Sequence, residues 1–229
     1  GAAMAANVAR AGYPLTVWNR TPGKAAAAVA AGAVEALSPA AVASASEVVV
    51  VCVSDTPDVE AVLFGAGGLA DELTPGALVI DCSTIAPGAT REYAERLAER
   101  DVGFVDAPVS GGSEGAVKAS LTIMVGGAEA DVDRARPVLE AMGSAITHMG
   151  PVGAGQTTKA VNQVILSGVY LGVAEGMVLA MKSGLDPRQV AEALAGGAAG
   201  SWVLQNRAQR MIDDDYPLGF RIALHLKDL

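Results

Sequence analysis

Residues 47–82 read EVVVVCVSDTPDVEAVLFGAGGLADELTPGALVIDC: an apolar run from Glu47 to Val53, a helical stretch around Val59 to Leu63, and a second apolar run from Leu78 to Cys82. Short unbroken apolar runs flanking a helix describe strands of a parallel sheet covered on both sides. The alternation continues in both directions. Upstream, a helix over Gly1 to Ala11 ends at Gly12, a strand runs from Leu15 to Trp18, and a helix over Gly23 to Ala31 closes at Gly32. Downstream come a helix over Gly88 to Arg100, a strand over Gly103 to Asp106, and a polar glycine turn from Ser110 to Gly115. A strand over Leu121 to Gly126, a helix over Ala128 to Met142 and a last strand around Ile146 to His148 complete the pattern. The units recur at roughly the 25 to 30 residues of a βα pair.

Past Gly150-Pro151 only helices are expected. A long apolar helix ends near Met181 to Gly184, Asp186-Pro187 opens a second, and Ser201 to Met211 forms a third. The fold class is therefore α/β: a Rossmann-type doubly wound sheet followed by an all-α domain. The expected division is a dinucleotide-binding domain over 1–151 and a helical substrate and dimerisation domain over 152–229. A doubly wound sheet binds its nucleotide at the turn after its first strand. This chain opens on a helix, so the first strand is expected before Gly1, and the helical domain is expected to continue past Leu229.

At 229 residues and 51% hydrophobic content, the chain can bury a sizeable core. Its net charge of -9 opposes nucleic acids and anionic membranes at long range, while a local basic pocket for a small anion stays compatible with it. The two cysteines, Cys52 and Cys82, lie in strand-like runs without a C-x-x-C motif, which reads as buried free thiols in a reducing cytoplasm. His148 and His225 stand alone, and no metal site is expected. The first ten residues lack a signal-peptide cleavage pattern. Val164 to Met181 approaches membrane-spanning length, but Glu175 and the small residues Ser167, Gly168, Gly172 and Gly176 favour close helix packing.

The entrance to that helix, Gly153 to Gln163, reads GAGQTTKAVNQ. Gly153 and Gly155 permit close backbone approach, and Lys159, Asn162 and Gln163 share one helix face. From Ala160 to Met181 only Glu175 is charged, so the helix is expected to be buried nearly all round. A surface lysine is the alternative. Lys159 lies four places after Gly155 and Ala160 follows it, which excludes a G-x-x-x-x-G-K-[ST] phosphate loop.

Five blocks in order make the chain similar to the β-hydroxyacid dehydrogenase family. They are Gly1 to Ala11, Asp81 to Thr84, Asp106 to Gly112, the Lys159 segment, and Phe220 to Leu229 with its Lys227-Asp228-Leu229 ending. The resemblance implies NAD(P)-dependent oxidation and reduction of small hydroxy acids. Gly1 would be the last glycine of the family's amino-terminal fingerprint. Within the family, Gly196 to Ser201, Gly219 to Ile222 and the Asn162-Gln163 pair look most like enzymes reducing 2-hydroxy-3-oxopropionate (tartronate semialdehyde) to D-glycerate. Dehydrogenation of 3-hydroxyisobutyrate is the next likeness. A cofactor-binding module without catalysis is a further alternative. Imine reduction is another, although relatives with that activity usually replace the lysine.

Hydride addition to a carbonyl needs a proton donor beside the nicotinamide. Lys159 suits this role, because burial would lower an ammonium pKa toward the working pH. Asn162 or Gln163 would orient substrate and lysine. Ser110, Gly111 and Gly112 follow a strand end and would bind the substrate carboxylate through a hydroxyl and backbone N–H groups. Asn19, Arg20 and Thr21 end the strand where an acidic residue would grip the ribose of NAD; an arginine there suits a 2′-phosphate, so NADPH is expected ahead of NADH. Val53, Ser54, Ser83 and Thr84 close neighbouring strands and should line the cofactor cleft. The resemblance places cofactor contacts at these positions and at Lys227. A small carboxylate substrate and a homodimer or homotetramer complete the expected partners.

Overall fold

Val48–Val51, four valines in a row, form a strand that runs parallel to Leu78–Asp81, with Val51 opposite Asp81. Leu78–Asp81 in turn runs parallel to Gly103–Asp106, with Asp81 opposite Asp106. The computed structural model describes residues 1–216 and 220–229. Along the chain the elements are α1 (Ala2–Arg10), β1 (Thr16–Val17), α2 (Ala26–Ala30), β2 (Val34–Glu35), α3 (Pro39–Ala43), β3 (Val48–Val51) and α4 (Thr56–Phe64). A short 3₁₀ turn, Leu69–Asp71, precedes β4 (Leu78–Asp81), α5 (Pro87–Ala98), β5 (Gly103–Asp106), β6 (Val109–Ser110), α6 (Gly112–Val117), β7 (Leu121–Gly126), α7 (Glu129–Glu140) and β8 (Gly143–Gly150). The remaining helices are α8 (Ala154–Lys182), α9 (Pro187–Leu194), α10 (Trp202–Ile212) and α11 (Ile222–Asp228).

By contacts the chain divides into Gly1–Ala160 with Leu226–Asp228, and Val161–His225 with Leu229. In the first unit β1 and β2 form a parallel pair, and a second sheet has the order β3-β4-β5-β7-β6, with β8 also paired to β7. Alternation along β4 sends Leu78 and Ile80 to one face and Val79 to the other. Leu78 and Ile80 pack with Met4 and Val8 of α1 and Val132 and Leu139 of α7. Val79 packs with Val59 and Leu63 of α4 and Tyr93 and Leu97 of α5. Helices therefore cover both faces, which is the doubly wound arrangement.

In the first unit two expectations need correction. The sheet is mixed, because β7 is antiparallel to β5 and to β6, although parallel to β8. An apolar run carries no information on strand direction, and the short connection through α6 from β6 to β7 favours the antiparallel pairing. The residues Ser110 to Gly115 are also more than a turn: they contain the end of β6 and the start of α6.

In the second unit, α9 and α10 pack with the body of α8 around Val173, Met177, Val203, Leu204 and Ala208. Asp186 caps α9 by accepting from the Arg188 N–H, and Ser201 caps α10 by accepting from the Leu204 N–H. Arg188 joins the two helices through Asp213 and the Gln209 Oε1. The long helix departs from its expected burial. Val164 is 63% exposed, Leu171 61% and Leu179 67%. Low charge density does not require all-round burial, and α9 and α10 cover only one side of α8. By length and composition alone, α8 could also cross a membrane. Gly219, in one of the family-like blocks, lies outside the described residues.

Candidate active site

β3, β4 and β5 end side by side, and the loops that follow are joined by hydrogen bonds. The Val53 N–H donates to Ser83 Oγ (2.9 Å), and the Ser83 N–H donates to Asp81 Oδ1 (2.9 Å). Asp81 is fully buried, and Oδ2 finds no hydrogen-bond partner among the described residues. Desolvation pushes its pKa up to about 6 against the lowering effect of the Ser83 bonds, and the neighbouring Asp106 carboxylate adds to the rise.

Asp106 explains how α8 starts where it does. Its Oδ1 accepts from the Gly153 N–H at 2.7 Å and its Oδ2 from the Gln156 N–H at 2.8 Å. A carboxylate at a helix entrance satisfies orphan donors and favours the positive end of the helix dipole. Burial pushes the Asp106 pKa up, and these backbone bonds hold it down. Gly155 permits the close approach: a Cβ there would lie 2.4 Å from the Met124 carbonyl oxygen and 2.9 Å from that of Asp106.

The first turns of α8 carry Gln156 and Lys159 at i and i+3. Lys159 is only 7% exposed. Burial lowers its pKa, the Asp228 carboxylate opposes that shift, and the Lys227 ammonium adds to it. A desolvated ammonium balanced by one carboxylate can give and regain a proton closer to neutrality than a free lysine. Lys227 Nζ donates to the Thr84 carbonyl and pairs with Asp228 at 2.8 Å. A cleft at these strand ends is lined by Asp55, Thr56, Thr84, Gln156, Lys227 and Asp228 among others.

The other expected residues fall in separate places. Gly1 caps α1 without a side-chain bond, and a Cβ on it would sit 3.4 Å from the Cys52 carbonyl oxygen. Asn19 Oδ1 accepts from the Thr21 N–H at 2.9 Å, shaping the loop after β1. The Arg20 guanidinium pairs with Asp58 on α4 at 2.7 Å. The residues lie 38 positions apart, so only folding shows the pair. It is exposed and costs little to break. Ser54 is exposed in the bend that follows β3. Ser110 pairs with Thr122 in the antiparallel β6–β7 ladder. Gly111 and Gly112 follow with φ of +129° and +64°, conformations that glycine adopts without strain. In the second unit, Asn162 Nδ2 donates to Gln163 Oε1 at 2.8 Å, so the two amides act as a pair. There, too, Ser167 Oγ and His225 Nε2 lie 2.9 Å apart, which ties α11 to α8.

Sequence reasoning assigned no role to Gln156, Asp106 or Asp228. Gln156 had a visible signal, since it lies one turn before Lys159 on the same face. The two aspartates stood in family-like blocks, but their work depends on contacts between distant segments.

The adjacent strand ends, the glycine that opens α1 without a side-chain cap bond and the cation at Lys227 fit a dinucleotide. Comparison with known proteins agrees. Residues 1–150 match a family model described as the NAD binding domain of 6-phosphogluconate dehydrogenase. Residues 153–229 match one described as NAD-binding of NADP-dependent 3-hydroxyisobutyrate dehydrogenase. The chain is 42% identical over its whole length to a 2-hydroxy-3-oxopropionate reductase of Escherichia coli (strain K12), covering 78% of that protein. It is 37% identical, again over its whole length, to a 3-hydroxyisobutyrate dehydrogenase of Pseudomonas aeruginosa, covering 79% of it. The crystal structure of a 3-hydroxyisobutyrate dehydrogenase from Salmonella typhimurium superposes with a TM-score of 0.88 at 32% identity, spanning 100% of this chain and 80% of that one.

Proposed function

The chain belongs to the β-hydroxyacid dehydrogenases, a family of NAD(P)-dependent oxidoreductases, and from that premise we propose that it reduces 2-hydroxy-3-oxopropionate to D-glycerate with NADPH. The buried Lys159 with its lowered pKa carries this assignment. A coenzyme bound at these strand ends would supply the hydride for the aldehyde carbon. Lys159 Nζ delivers a proton to the carbonyl oxygen as negative charge develops there, and the reverse reaction returns it. Ser110 with the Gly111 and Gly112 backbone holds the substrate carboxylate, and the Asn162–Gln163 pair orients the hydroxyl-bearing end. Gly1, Val53, Ser54, Ser83, Thr84 and Lys227 would hold the coenzyme.

Arg20, with Asn19 and Thr21, supports NADPH as the coenzyme, since its pairing with Asp58 is weak enough to yield to a 2′-phosphate. The two free thiols, Cys52 and Cys82, suit a cytoplasmic enzyme. Residues 1–151 serve the coenzyme, and residues 152–229 serve the substrate and assembly into a homodimer or homotetramer.

The test follows NADPH and NADH oxidation with tartronate semialdehyde, and the reverse reaction with 3-hydroxyisobutyrate and L-serine. Tartronate semialdehyde with NADPH is expected to give the highest kcat/KM, and Lys159→Ala to lower kcat by at least about 100-fold. Undiminished turnover in Lys159→Ala overturns the mechanism, while a preference for 3-hydroxyisobutyrate reassigns the substrate alone. Arg20→Ala is expected to raise KM for NADPH about tenfold and leave KM for NADH unchanged.

A further inference from the structure

Gln156 is 1% exposed, and its side-chain amide is used at both ends. Nε2 donates to the Ser83 carbonyl at 2.8 Å, and Oε1 accepts from the Ile85 N–H at 3.2 Å. The amide thus spans the two peptide groups on either side of Thr84. The Gln156 backbone is fixed as well, because its N–H is held by Asp106 at the end of β5. Ser83 carries the brace onward to β3 through its hydroxyl and to β4 through its N–H. One residue therefore locks the first turn of α8 to the ends of three adjacent strands.

We propose that Gln156 is a positioning residue for hydride and proton transfer, setting the Ser83–Ile85 loop in register with the helix turn that carries Lys159. The proposal rests on the dehydrogenase assignment above. The loop follows the carboxyl end of β4, where a doubly wound sheet meets its coenzyme, and Lys159 stands one turn beyond Gln156 on the same face. Hydride and proton must reach the carbon and oxygen of one carbonyl. A shift of about 1 Å between loop and helix separates their sources and costs up to about 100-fold in rate.

Two variants separate this role from simple packing. Gln156→Met keeps the volume and removes both hydrogen bonds, and Gln156→Glu keeps the acceptor for Ile85 but loses the donor to Ser83. Gln156→Met is expected to lower kcat by about 10- to 100-fold, with the substrate KM within about threefold of the starting protein. Its kinetic isotope effect with 4-deuterated NADPH is expected to rise, and the Ile85 amide to exchange with solvent faster. Gln156→Glu is expected to recover toward the starting protein as pH falls, because protonation restores a donor to the Ser83 carbonyl. Unchanged kcat and isotope effect in a folded Gln156→Met overturn the proposal, as does a Gln156→Glu to wild-type activity ratio that is independent of pH. A wild-type protein that turns over no member of the substrate panel with either coenzyme overturns the dehydrogenase assignment and this inference with it.

Discussion

Lys159 lies where two opposing effects meet: desolvation favours the neutral amine, and the Asp228 carboxylate favours the ammonium. Desolvation is the larger. Reduction consumes the proton on Nζ, so its rate is expected to fall as pH rises through the lowered pKa, with a midpoint below the ordinary 10.5. Oxidation should rise over the same range. Paired pH profiles of kcat/KM in both directions check this, and two profiles of the same slope would contradict it. Asp81 makes a prediction of opposite character. Its pKa is raised from 3.8 to about 6 in the folded protein, so the folded state binds more protons than the unfolded state between those values. Its stabilising contribution is full below the unfolded value and disappears as pH rises through the folded one. Asp81→Asn should therefore gain on the starting protein between about pH 4 and 7, by roughly 3 kcal/mol at most. Urea unfolding at several pH values measures this, and a difference independent of pH rules it out. Lys159 could be picked out of the sequence because a cation beside glycines at the mouth of an apolar helix is unusual. Asp81 could not, because its pKa depends on the absence of water and on Asp106 across the strand pair.

At the scale of elements, α8 is held at its start by contacts with strands β5 and β7. Gly155→Ala should cost about 3 kcal/mol or more, since its Cβ would meet two backbone carbonyls that cannot rotate away. Asp106→Ala leaves the Gly153 and Gln156 N–H groups unsatisfied and should cost about 2 to 4 kcal/mol. Chemical denaturation of both variants tests these figures, and a loss below about 1 kcal/mol in either would refute the account of how α8 is anchored. The strands Gly103–Asp106 and Leu121–Gly126 were legible to the residue because apolar runs end at glycine or a charge. The pair Val34–Glu35 was missed: two exposed residues leave no pattern. The direction of β7 was missed for a different reason, since a strand's apolar alternation reads the same both ways.

For the whole molecule, the uncovered side of α8 is the feature with the clearest consequence. Val164, Ile165, Leu171, Val178 and Leu179 are all exposed, and a Cβ placed on Gly168, Gly172 or Gly176 would meet nothing. A long apolar face of this kind favours self-association. Sedimentation at micromolar concentration is expected to show a dimer or tetramer, and Ile165→Asp to shift it toward monomer. A monomer in both would remove this basis for the proposed assembly. From the order of its apolar runs, glycines and prolines, the sequence by itself determined the α/β class, the change to helices near Pro151, and the unusual placing of a lysine, Lys159, at the mouth of the long helix. These depend on short-range periodicity and local chemistry, which one chain displays in full. Only the tertiary structure decided which side of α8 is covered, that Arg20 meets Asp58, that Asp106 anchors the helix, and that Gln156 braces the loop after β4. Each of those joins residues far apart in the chain, and distance along a sequence says nothing of proximity until the sheet has placed the strand ends side by side.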